Sequence, residues 1–190
     1  MKKFLAFVSA VVTISAGMSA TTIEPMSVER LTDISSDVVV AHAISSRSQW
    51  NAQHTMIVTY TEFAVDSRLK GSSGAVITVK QPGGSAEGYT QRVAGVRPWS
   101  AGESAVLFLR PSPSNDGALV VSGLMQGDFR VRRSVSGSAV ADNGVDMSTK
   151  EVGSEVESFN PSDRSLAPYR GNRMSLDELQ ARVRTRIQTR

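Results

Sequence analysis

Between residues 37 and 133 the chain breaks into short runs rich in Val, Ile, Thr and Phe, each stopped by Gly, Pro, Asn or Asp. No other feature constrains the fold as tightly. Runs this short, bounded by turn residues and several of them alternating, read as strands rather than helices. Residues 37–44, DVVVAHAI, predict a strand buried on both faces. Residues 56–65 alternate, with Ile57, Thr59, Thr61, Phe63 and Val65 on one side. That run is long for a strand and predicts a bent one, shared between two parts of a barrel. Residues 75–80 point Ala75, Ile77 and Val79 inward and stop at Pro82-Gly83-Gly84. Residues 89–93 form a weaker strand. Residues 104–109 and 118–122 flank Asn115-Asp116-Gly117 and predict a hairpin. Residues 127–133 alternate again, with Phe129 and Val131 inward and Arg130 and Arg132 outward. The only helical signal before residue 133 is short, at residues 27–31. The body therefore reads as mainly β, a small barrel or, alternatively, a two-sheet β-sandwich. Its expected core is Val38, Val40, Ile57, Phe63, Ile77, Val79, Val106, Phe108, Leu119 and Phe129.

The two ends read differently. Lys2 and Lys3 precede an apolar run at residues 4–14 and small residues at 15–20. This is the order of a secretory signal peptide, cleaved near residue 20. The run is too short for a permanent anchor. The expectation is a secreted or periplasmic protein with no stable membrane anchor after cleavage. Cysteine is absent, so no disulfide, thiolate zinc site or cysteine nucleophile is available. The sequence pI is ≈ 9.5, but without Lys2 and Lys3 the chain carries 19 basic and 18 acidic side chains. So balanced a chain has no global field to draw nucleic acid.

Beyond the β body, residues 21–133, the pattern fades into a polar linker at 134–172. Asp142, Asp146, Glu151, Glu155, Glu157 and Asp163 make its first part acidic, and Arg164 and Arg170 make its end basic. Residues 173–190 predict an amphipathic C-terminal helix. Ser175 and Glu178 have capping-box spacing, and Leu176, Leu179, Val183 and Ile187 form one apolar stripe. That stripe either docks on the chain's own barrel or serves a partner.

Catalytic patterns are not apparent. His42 and His54 are the only histidines. His42 sits in an apolar strand and His54 in a polar connection, and their spacing does not match a compact metal site. The stretch Asp142-Asn143-Gly144-Val145-Asp146 lacks the distal Glu of a calcium loop. Gly83-Gly84-Ser85 opens no helix and so makes no phosphate cradle. These readings assign no catalytic, cofactor or metal residue. The candidate partner contacts are Trp50, Trp99, Arg130, Arg132 and Arg133. The tryptophans either anchor a partner or cap a small barrel.

An ordered string of short motifs carries a resemblance. It comprises Asp37-Val38-Val39-Val40, Trp50, Phe63-Ala64-Val65, Leu69-Lys70-Gly71 and Ile77-Thr78-Val79. It continues through Pro82-Gly83-Gly84, Gly102-Glu103, Val106-Leu107-Phe108-Leu109 and Gly123-Leu124-Met125-Gln126-Gly127. Over residues 30–130 the chain resembles a group of uncharacterised exported bacterial β-domains. It is also similar in layout to the netrin-like OB-barrel domain of the tissue inhibitors of metalloproteinases. The resemblance implies a small OB-like barrel. Those inhibitors chelate the protease zinc through an N-terminal cysteine, which this chain lacks, so no functional residue carries over. The expected function is that of an exported, non-enzymatic binding or interaction module acting on a protein partner, without cofactor. The alternative is an inhibitor or accessory protein of a secreted peptidase.

Overall fold

The computed structural model describes residues 25–133, 138–144 and 172–189. The signal-peptide reading and the charge-rich stretch at 145–171 lie outside them. The described chain opens with helix α1 (Val28–Ile34), where Ser27 Oγ accepts from Arg30 N at 3.2 Å. Lys70 Nζ closes its far end by donating to the carbonyls of Thr32 and Ser35. Strands β1 (Asp37–Trp50), β2 (Ile57–Lys70) and β3 (Val76–Pro82) follow as antiparallel neighbours. A small hairpin, β4 (Gly84–Ala86) and β5 (Tyr89–Gln91), leads to β6 (Ser104–Pro111) and β7 (Leu119–Val121). After a 3-10 turn at Leu124–Gly127 come β8 (Asp128–Arg133), β9 (Ala139–Asp142), β10 (Arg173–Ser175) and helix α2 (Leu176–Gln188).

Five strands close on themselves in the order β1-β2-β3-β7-β6, because β1 pairs with both β2 and β6. The β3–β7 contact is parallel and rests on one pair, Val79 opposite Leu119. The fold is an OB-like barrel, mainly β, and closure through β1 removes the free edges that a sandwich would keep. β8 follows β7 along the same edge of β6 and extends the sheet to β9 and β10. β9 falls within the segment read as polar linker and is held there by β8.

β1 and β2 are each longer than the apolar runs that announce them. Three register shifts interrupt their pairing, and bulges of this kind bend a strand and let it serve two surfaces. At the last shift Ile44 has no partner opposite and is 44% exposed. The alternation flips there, so Ser46 and Ser48 come onto the face of Thr61 and Thr59 and hydrogen-bond them, each at 2.8 Å. Hydroxyl pairs, rather than apolar side chains, line this end of the barrel.

Two cores result. The barrel interior holds Val39, Ala41, Phe63, Val79, Trp99, Leu107 and Leu109. The outer face of β1 and β6 presents Val38, Val106 and Phe108, covered by Val28, Leu31, Phe129, Leu179 and Val183. The C-terminal helix thus docks on its own barrel. Ser175 Oγ caps it by accepting from Glu178 N, and Leu179 and Val183 are fully buried. Arg182 reaches Glu29 and Arg186 reaches Asp33, each through two nitrogens, so α1 and α2 clasp each other. Among the described residues, no helix is long and apolar enough to cross a membrane.

Candidate functional site

Two of the five candidate contact residues are inside the molecule. Trp99 comes from the connection between β5 and β6 and is 6% exposed, its ring edge-on to Phe63 with centroids 5.0 Å apart. Arg130, on the interior side of β8, lays its guanidinium 3.3 Å from the Trp99 ring centroid. It donates to Asp128, to Glu103 at 2.8 Å, and to the carbonyls of Arg97 and Pro98. Burial pushes the Asp128 carboxyl up, against the pull of Arg130 and Arg97, and lowers the Arg130 guanidinium. The outward orientation expected for Arg130 is therefore reversed, because a carboxylate and an indole wait inside for it. This pair plugs the barrel.

Trp50 ends β1 at the tip of the long hairpin. The connection to β2 is fixed by Asn51, whose side-chain oxygen accepts from Thr55 N and Met56 N. That turn holds His54 at a φ of 52°, stacked on Trp50 with centroids 5.5 Å apart. Tyr89 approaches the indole edge-on from β5 at 5.7 Å and is itself 64% exposed. The β4–β5 hairpin lies on β1 and β2 through Gly84. A Cβ there would stand 2.3 Å from both Ser48 Oγ and Thr59 Oγ1, so only glycine allows the approach. Gly83 N donates to Ile57 O, and Gln91 accepts from Ile57 N. Trp50, His54 and Tyr89 thus stand on two hydrogen-bonded turns.

The other face of the same hairpin carries a charged row. The Tyr60 ring lies between the Arg47 guanidinium and the Lys80 ammonium, 5.7 and 5.4 Å from its centroid. Lys80 Nζ and Tyr60 OH both donate to Asp116, from the β6–β7 turn. The hydrogen bond from Lys80 draws the Asp116 carboxyl down to about 2.

Comparison with protein-family models and with curated proteins finds no match.

Arg132 and Arg133 are exposed and line a groove of ≈ 390 Å³ with Val40, Asp66, Ser104 and Leu176. Beside it, His42 Nδ1 lies 2.9 Å from Asp66 Oδ1, and the sheet register sets Ser104 opposite His42. Sequence spacing hides this Ser-His-Asp order. The set is not assembled, since among the described residues Ser104 makes no hydrogen bond to the His42 ring. His54 lies away at the hairpin tip. Among the described residues, no three His, Asp or Glu side chains group as a metal site. The exposed aromatic surface is therefore the most distinctive site. Sequence reading found Trp50 and missed Tyr89 and His54, although Glu87-Gly88, both at positive φ, was a legible hairpin turn.

Proposed function

We propose that this chain is an exported, non-enzymatic binding module that holds a protein partner on the Trp50–His54–Tyr89 platform. The observation that carries the reading is Tyr89, a large aromatic residue left mostly exposed on a rigid turn beside Trp50. Tyr and Trp dominate interface energetics, and a platform already ordered by hydrogen bonds has little freedom left to lose on binding. Export, to the periplasm or beyond, rests on the first twenty residues. We assign the barrel to the OB-fold on its strand order. That order, with the netrin-like resemblance, favours a second reading as an inhibitor or accessory protein of a secreted peptidase.

A photo-crosslinking residue placed at Tyr89 tests the platform, with the same residue at Arg184 on α2 as control. A discrete adduct from position 89, lost in the Trp50→Ser background with the melting temperature unchanged, is expected. Adducts that are absent, identical at both positions, or indifferent to Trp50→Ser would overturn it. Mass spectrometry of the mature N-terminus decides export, and an intact Met1 on the folded protein would remove it.

A further inference from the structure

β3 and β7 share only the Val79–Leu119 pair and then part. β3 continues to Pro82, while the other side leaves β7, turns through Gly123 and Leu124, and resumes as β8 on the edge of β6. The parting leaves a cleft of ≈ 380 Å³, lined among others by Pro82, Val96, Arg97, Arg110, Leu124 and Met125. Its size is at the lower end for small-molecule sites, about 300–1,000 Å³.

Two separate oddities meet there, at Leu124 and Arg110. Leu124 sits at φ 59° and is 62% exposed. A leucine in the left-handed region is strained, and such strain concentrates where a ligand is clamped. Arg97 is already engaged, since its terminal nitrogens donate to Gly144 O and Asp128 O and its Nε is buried out of a ligand's reach. The Arg110 side chain is exposed and makes no hydrogen bond or ion pair among the described residues. The remaining charges of the cleft are answered. Lys80 is held by Asp116 and Ser114, and Asp128 lies between Arg130 and Arg97. What is left over is positive charge beside apolar wall.

We propose that this cleft binds a small amphipathic anion, a carboxylate carried on a short acyl or aryl group. The apolar part lies against Leu124, Met125 and Val96, and the carboxylate is met by the exposed guanidinium of Arg110. A neutral ligand brings no counter-charge to Arg110, and a cation is repelled by it. The strained Leu124 holds the wall on the open side, where an unstrained turn would withdraw it. No bond is made or broken, and the cleft does not involve the aromatic platform.

Octanoate is the probe, titrated into the folded protein while the methyl NMR signals of Leu124, Met125 and Val96 are followed. 1-Octanol and octylammonium serve as controls. Saturable shifts confined to the cleft are expected in the millimolar range, as suits so small a ligand. Arg110→Gln should weaken octanoate about tenfold and leave octanol unchanged. Leu124→Gly relieves the strain, so its melting temperature holds or rises while octanoate binding weakens. That combination separates a binding role from a structural one. No shift at on the order of 10 mM octanoate, equal binding of octylammonium, or an Arg110→Gln variant that binds as the parent does would each overturn the proposal.

Discussion

Ending the chain after Asn172 deletes β10 and α2 and uncovers the outer core. Leu179 and Val183 are fully buried in it. Each contributes roughly 1.5–3 kcal/mol by leaving water, so the pair accounts for about 3–6 kcal/mol. The Arg182–Glu29 pair adds little, because its side chains are 38% and 40% exposed; such pairs are worth up to about 1 kcal/mol. Against a total stability of roughly 5–15 kcal/mol the loss is large. At about 2–4 °C per kcal/mol for a chain of this size, melting falls by at least roughly 6 °C. Thermal denaturation followed by circular dichroism reads it. If the truncated chain does not accumulate, Leu179→Ala carries the same test with an expected cost of about 2–5 kcal/mol. A melting temperature within about 2 °C of the parent in either variant would refute the reasoning and make the docked helix a bystander.

Arg130→Ala leaves Asp128 buried with only Arg97 and removes the cation from Trp99; the expected cost is about 3–5 kcal/mol in a denaturant titration, and a cost under about 1 kcal/mol would show that the plug is not structural. Asp116 has a folded pKa of about 2, below its ordinary 3.8, so its contribution is present above 3.8 and is lost as pH falls toward 2. Asp116→Asn should therefore cost at most about 1 kcal/mol at pH 7, since the residue is exposed, with the gap closing near pH 2; a gap unchanged with pH would sink this assignment.

The strand series was legible because alternation and turn residues report the same thing that pairing does. Val38, Ile57, Phe63, Ile77, Val79, Val106, Phe108 and Phe129 are all buried, while Val40 and Leu119 are only half-buried; Phe129, read as facing the barrel interior, instead joins Val38, Val106 and Phe108 in the outer core. The α2 cap and stripe were legible for the same reason, since Ser175, Glu178, Leu179 and Val183 interact within one local helix. What escaped depends on distant partners. Within residues 127–133 only Asp128, two positions earlier on the same face, hints that Arg130 turns inward; its other reasons, Trp99, Glu103 and the Pro98 carbonyl, lie elsewhere in the chain. The bulge at Ile44 inverts the faces of β1 without any glycine or proline to mark it. Residues 139–142 carry too few apolar side chains to stand alone and become β9 only because β8 offers an edge. The aromatic platform joins two turns more than thirty residues apart, so Trp50 could be singled out but not its company.

The clasp between α1 and α2 also dictates an order of events. Arg182 and Arg186 reach carboxylates 153 positions earlier in the chain. Synthesis delivers α1 and every strand of the barrel before the first residue of α2 exists. Val28, Leu31, Val38 and Phe108 wait without their cover from Leu179 and Val183 until α2 emerges. Completion of the native state thus depends on the chain reaching α2. A chain stopped before α2 keeps an open apolar flank for proteases and chaperones to find, and α2 conceals it.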